Sequence, residues 1–211
     1  MPSEIRRDYL QDRYVIIAPG RATRPVLNQA PERVKEKGLC HFCPSHVKEK
    51  EVIALFGPGN PWRIAVLENS YPAVSLENEK AFGKQELIIE TPDHSVALHE
   101  LHEEEIAAVF EAYGMRMQAL AKTDRIEYIL IFKNEGFLAG ASMDHAHSQL
   151  FATQFIPPQV MDHAARAQEY RMRRGSCVYC DVIQQESAGE RMVFEDAHTV
   201  AFAPYASRYM Y

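Results

Sequence analysis

Apolar residues along the 211-residue chain fall mostly in short runs closed by Pro, Gly or Asn, the pattern of strands ended by turns. Tyr14-Val15-Ile16-Ile17-Ala18 stops at Pro19-Gly20, Arg63-Ile64-Ala65-Val66-Leu67 stops at Glu68-Asn69, and Gln85 to Glu90 stops at Thr91-Pro92-Asp93-His94. Ile126 to Phe132 runs into Lys133-Asn134-Glu135-Gly136, and Gln149 to Phe155 ends before Pro157-Pro158. One segment has a different period. Ile106, Val109, Phe110, Tyr113, Met117 and Leu120 recur at three- and four-residue steps, which predicts one face of a long helix. Glu103, Glu104 and Glu105 then occupy its first turn, where the helix dipole favours negative charge. A further helix is expected after Pro158, to about Arg173. From Cys177 the pattern begins again, with strand-like Met192-Val193-Phe194 and Val200-Ala201-Phe202-Ala203-Pro204. The reading is α+β, a mainly antiparallel sheet with one long helix. Residues 1–173 are expected to form a first domain and 174–211 the beginning of a second.

Composition narrows the partners. A hydrophobic fraction of 46% and a charged fraction of 25% suit a globular protein. The net charge of −6 and the lack of a Lys/Arg block argue against a nucleic-acid partner. No apolar run approaches the ~20 residues that span a bilayer, and the N-terminus carries no apolar signal segment, so no membrane partner and a cytoplasmic, reducing setting are expected. In that setting the four cysteines, arranged as Cys40-x-x-Cys43 and Cys177-x-x-Cys180, read as metal ligands rather than disulfides.

The first pair is followed by Pro44 and a polar loop, not by the helix that a redox Cys-x-x-Cys normally opens. A tetrahedral zinc site needs two more donors. Among nine histidines, His94 after a Thr-Pro-Asp turn and His145 are the natural candidates. His145 and His147 are two residues apart, so on an extended strand both face the same way. One of them can then ligate a metal while the other faces a substrate. An imidazole keeps a nitrogen lone pair at neutral pH and attacks phosphorus well. Gln149 shares that face, and its amide can donate to a phosphate oxygen without transferring a proton. Arg21 and Arg24 offer guanidinium forks, and Asn134, Ser142 and the Gly140 backbone offer neutral donors.

The run His145-Ala146-His147-Ser148-Gln149, preceded by Asn134-Glu135-Gly136 and Gly140-Ala141-Ser142, resembles the galactose-1-phosphate uridylyltransferase branch of the histidine-triad superfamily. Arg21-x-x-Arg24-Pro25, Cys40-x-x-Cys43, Asn69 in Glu-Asn-Ser-Tyr-Pro and Thr91-Pro92-Asp93-His94-Ser95 match in order, and the likeness runs roughly from residue 4 to residue 205. The resemblance implies a histidine-triad-like fold and zinc held by Cys40, Cys43, His94 and His145. It makes His147 the nucleophile, with Gln149, Ser142, Asn134 and Asn69 contacting phosphates or ribose and Arg21 or Arg24 near a phosphate. The reaction implied is ping-pong. A nucleoside diphosphate sugar, of the UDP-glucose or UDP-galactose type, gives its nucleoside monophosphate to histidine, and a sugar 1-phosphate or phosphate then takes it. A homodimer with shared active sites is implied as well.

Two departures qualify the match. Ala146 stands where the transferases often carry Pro, and Ser148 where they carry Gly, which favours a member like ADP-glucose phosphorylase, a close relative with phosphate as acceptor. The family has two tandem repeats, and Cys177 and Cys180 resemble the start of a second zinc site, incomplete in this sequence, whose histidines would lie beyond Tyr211. Two other readings stay open. One is a nucleotide hydrolase of the superfamily, which would carry histidine at Gln149 to protonate the leaving group. The other is a zinc-stabilised nucleotide-binding module without catalysis.

Overall fold

The short apolar runs fold into antiparallel ladders. The computed structural model describes residues 2–7, 14–18, 20, 40–57, 62–141 and 143–203, in two compact units, Met1–Pro157 and Pro158–Tyr211. The first unit opens with β1 (Glu4–Arg7) and β2 (Tyr14–Ile17), paired antiparallel. Its body is a five-stranded sheet formed by β3 (Val52–Phe56), β4 (Ile64–Glu68), β5 (Gly83–Ile89), β6 (Tyr128–Phe132) and β7 (His147–Thr153), in the order β3-β4-β5-β7-β6. Every neighbouring pair is antiparallel. Helix α1 (Glu103–Leu120) crosses between β5 and β6. The strand expected from Gln149 begins two residues earlier, at His147, and ends at Thr153.

Both faces of the sheet are covered, which is why β4 reads as an unbroken apolar run with Ile64, Ala65, Val66 and Leu67 all buried. On one face Ile64, Val66, Ile88, Leu150 and Ala152 pack against Val109, Ala112 and Leu120 of α1. Burying each large aliphatic side chain there contributes about 1.5–3 kcal/mol. On the other face Ala65, Leu67, Ile89 and Trp62 form a second cluster that takes in Phe42 and Leu87. The stripe of α1 that meets the sheet differs from the expected one. Phe110 is 60% and Met117 40% exposed, because Ala112 and Arg116 fill the inward positions that a purely apolar count passes over. Gly83 has a packing reason: a Cβ there would lie 2.3 Å from the Ala152 carbonyl oxygen, so only glycine lets β5 start against β7.

The second unit holds α2 (Pro158–Arg174), α3 (Val178–Ser187) and the hairpin β8 (Met192–Glu195) with β9 (Val200–Phe202). Within it Glu186, buried, accepts two hydrogen bonds from Arg191, and Asp181 accepts from Ser176 and Tyr170. The compact division falls ahead of α2, a helix that the sequence pattern groups with the first domain. Among the described residues no helix is long and apolar enough to cross a membrane.

The sheet's helix-covered face carries a buried charge. Glu86 on β5 is fully buried, and Arg116 of α1 grips its carboxylate with Nε at 2.9 Å and Nη2 at 2.8 Å. Removing one partner strands the other, so Arg116→Ala is expected to cost about 3–5 kcal/mol in urea unfolding. The double variant Glu86→Leu/Arg116→Met is expected to recover most of that loss. An Arg116→Ala protein as stable as the wild type would contradict this account of the helix-to-sheet contact.

Candidate metal centre and nucleophile

Four donor side chains from three separate segments converge on the sheet face opposite α1. A tight turn brings the first two together: Cys43 N–H donates to the Cys40 carbonyl at 3.2 Å, and His46 and Val47 N–H donate to the Cys43 carbonyl. Phe42 N–H points at Cys40 Sγ, 3.4 Å away, and His46 Nδ1–H donates to the Cys40 carbonyl at 3.0 Å. His94 comes from the turn after β5, where Asp93 N–H donates to Thr91 Oγ1 and Ser95 N–H to Asp93 Oδ1. His145 comes from the loop before β7 and is fully buried. Cys40 Sγ lies 3.6 Å and Cys43 Sγ 3.7 Å from His145 Nδ1, and Cys43 Sγ lies 3.7 Å from His94 Nδ1. All four ligand atoms fall within 4.8 Å of one another, a group that could hold a metal ion.

Tautomer logic supports that use. His145 Nε2 lies 2.7 Å from the Thr91 carbonyl, which can only accept, so Nε2 carries the proton and the Nδ1 lone pair faces the two sulfurs. Burial drives the His145 pKa down to about 4 and keeps the ring neutral, the form that binds metals. Burial also pushes the Cys40 thiol up to about 11. A cation held between the sulfurs would supply the charge that a buried thiolate otherwise lacks.

His147 opens β7, opposite Ile89. Its Nδ1 lies 2.8 Å from the His145 carbonyl, so Nδ1 is protonated and the lone pair is on Nε2. Phe42 packs against its ring at 5.0 Å between centroids. His147 and Met143 line two cavities, of about 300 and 310 Å³. The first also meets Phe42, Asn69, Tyr71, Leu87 and Gln149. The second meets Lys133, Asn134, Gly136 and Ala146. On the opposite face of β7, Ser148 donates to Glu90 Oε1 at 2.5 Å, and Tyr113 donates to the same oxygen at 3.0 Å. Lys133 donates to Glu90 Oε2 at 2.7 Å and to the His147 carbonyl at 3.4 Å. Burial, with Glu90 beside it, raises the Tyr113 hydroxyl well above its ordinary value, so it stays a donor.

The family model for "Galactose-1-phosphate uridyl transferase, N-terminal domain" matches residues 2–157. The chain belongs to this family. It is 32% identical to ADP-glucose phosphorylase of Arabidopsis thaliana over 98% of its own length and 63% of the relative's. It is 28% identical to galactose-1-phosphate uridylyltransferase of Thermotoga maritima over 99% of its length and 64% of the relative's. Among solved structures, a uridylyltransferase superposes with a TM-score of 0.77 at 27% identity, covering 96% of this chain and 62% of that one. The Arabidopsis ADP-glucose phosphorylase with bound ADP-glucose superposes with a TM-score of 0.72 at 30% identity, covering 98% and 65%. The chain thus spans less than two thirds of the length of these relatives.

In this member of the galactose-1-phosphate uridyl transferase family, Cys40, Cys43, His94 and His145 come together, and His147 and Gln149 share a cavity wall with Asn69. Asn134 lines the second cavity, and Gly140 lines neither of the two. Arg21, Arg24 and Ser142 lie outside the described residues. Cys177 and Cys180 are exposed free thiols at the start of α3, and among the described residues no further metal donors gather around them. Sequence reasoning does not find Glu90, Lys133, Ser148 and Tyr113 as a group. The one available signal is a glutamate closing the apolar run Leu87-Ile88-Ile89. Cys43→Ser and His145→Ala are each expected to abolish stoichiometric divalent metal, read by elemental analysis of the purified chain, and to lower the melting temperature. Full metal occupancy in either variant would contradict the assignment.

Proposed function

We propose that this chain acts as a nucleotidyltransferase. It moves a nucleoside monophosphate from a nucleoside diphosphate sugar to a sugar 1-phosphate or phosphate through a covalent intermediate on His147. The observation that carries the reading is the hydrogen bond from His147 Nδ1 to the His145 carbonyl, which puts the nucleophilic lone pair on Nε2. Nε2 attacks the α-phosphorus, the bond from phosphorus to the bridging oxygen breaks, and its electron pair leaves on the sugar 1-phosphate. In the second half an acceptor phosphate oxygen attacks the same phosphorus and the P–N pair returns to Nε2. Gln149 donates to a non-bridging oxygen and carries no proton to transfer, which favours a phosphate acceptor over water. Asn69 and Tyr71 suit the nucleoside side of the first cavity, and Asn134 the phosphates. By the family resemblance Arg21 or Arg24 lies near a phosphate, and Ser142 contacts the phosphates or the ribose.

The metal in this reading is zinc. Bonds of about 2.3 Å to sulfur and about 2.05 Å to nitrogen at a tetrahedral angle separate S from N by about 3.6 Å, against 3.6 and 3.7 Å here. Four protein donors complete the tetrahedron, so the ion would supply structural charge that fixes the loop carrying His145, which leads into His147. The free thiols suit a reducing cytoplasm. The family resemblance adds a homodimer, and it makes 174–211 the beginning of a second repeat, with Cys177 and Cys180 its first metal donors.

One observation favours adenosine over uridine: the 32% identity to ADP-glucose phosphorylase exceeds the 28% to the uridylyltransferase. Incubation with UDP-, ADP- and GDP-sugars followed by intact-mass analysis decides both points. A single nucleoside monophosphate is expected on the wild type and none on His147→Ala, the mass naming the base. No adduct with any of these sugars would overturn the proposal. Acceleration of turnover by phosphate or a sugar 1-phosphate over water separates transfer from hydrolysis.

A further inference from the structure

Gln149 can turn either end of its amide toward a phosphate, and the two ends act oppositely. The NH₂ end donates to developing negative charge, whereas the carbonyl end repels it. Nothing in the residue type favours one orientation over the other. A buried neighbour on the adjacent strand, Gln85, does.

Gln85 on β5 stands opposite Phe151 and Leu87 opposite Gln149, so Gln85 and Gln149 are diagonal neighbours on one sheet face. Gln85 is 3% exposed. The Ala73 backbone N–H, which can only donate, lies 2.9 Å from Gln85 Oε1. That contact settles which end of the Gln85 amide is oxygen. Gln85 Nε2 must then face Gln149, and it donates to Gln149 Oε1 at 3.0 Å. With its oxygen engaged by Gln85, Gln149 presents Nε2 to the cavity it shares with His147. The main chain at Ala73 therefore orients the Gln149 amide through one intervening glutamine. The same segment carries cavity-lining Asn69, Ser70 and Tyr71, with Asn69 Oδ1 accepting from Tyr71 N–H at 2.9 Å. The wall of the nucleoside cavity and the orientation of the catalytic amide are thus joined within one short segment, Asn69 to Ala73.

We propose that Gln85 is a positioning residue that fixes the Gln149 amide with its NH₂ toward the transferring phosphate. The inference rests on the nucleotidyl-transfer reading. Gln85→Glu tests it: the carboxylate still accepts from Ala73 N–H but has no proton for Gln149, so the Gln149 amide reverses and shows its oxygen to the phosphate. Gln85→Met keeps the volume and removes both contacts, leaving Gln149 unguided rather than reversed.

The experiment is single-turnover formation of the His147 adduct with the nucleotide sugar that labels the wild type, alongside that sugar's dissociation constant. Gln85→Glu is expected to slow the step by about 10- to 100-fold, at or below the range for losing an oxyanion donor, with the dissociation constant changed much less. Gln85→Met should fall between it and the wild type. Because Gln85 acts through Gln149, Gln85→Glu/Gln149→Met is expected to be no slower than Gln149→Met alone. Metal content and melting temperature show whether each variant is folded; if Gln85→Glu is not, Gln85→Met is read in the same cycle. Wild-type rates in the Gln85 variants, or losses that multiply in the double variant, would overturn the inference while the His147 chemistry stood. A wild type that forms no adduct overturns both.

Discussion

His147 donates its Nδ1 proton to the carbonyl of His145, and His145 donates its own Nε2 proton to the carbonyl of Thr91. These two bonds set the tautomer of each ring. Together they send one lone pair toward the cysteines and the other toward the cavities. The carbonyl that orients His147 belongs to a residue whose side chain sits among the four clustered donors, Cys40, Cys43, His94 and His145. A change in the position of His145 therefore reaches the His147 ring through a single hydrogen bond.

That arrangement requires a sheet buried on both faces. β7 places His147 and Gln149 toward the cavity and Ser148, Leu150 and Ala152 toward α1. A one-residue slip in register would exchange those sets. The register is held by apolar packing and by two buried carboxylates, Glu86 against Arg116 and Glu90 against Lys133, Tyr113 and Ser148. The hydroxyl of Ser148 has a definite use here as a donor to Glu90.

Much of this is legible in the amino-acid sequence. The spacing of Cys40 with Cys43 and of His145 with His147 marks candidate ligands and a shared strand face, because short-range spacing translates directly into shared faces, and the family resemblance supplies the division of roles between them. The strands and α1 are legible for the same reason. The inward stripe of α1 is not, since Ala112 and Arg116 hold core-facing positions that hydrophobicity does not mark. Gln85, Glu90 and Lys133 are also hidden. Their roles depend on cross-strand neighbours 64, 58 and 43 residues away, and one chain alone carries no sign of such pairings. The α3 helix escapes a periodicity reading because Cys177 to Ser187 mixes polar and apolar residues without a strong period.

In the proposed intermediate phosphorus is bonded to one identifiable nitrogen. Trapping the nucleotidylated chain and determining the phosphoramidate linkage by ³¹P–¹⁵N coupling on ¹⁵N-histidine protein, with peptide mapping, locates the bond. Phosphorus is expected on Nε2 of His147. Phosphorus on Nδ1, or on any other residue, would contradict it.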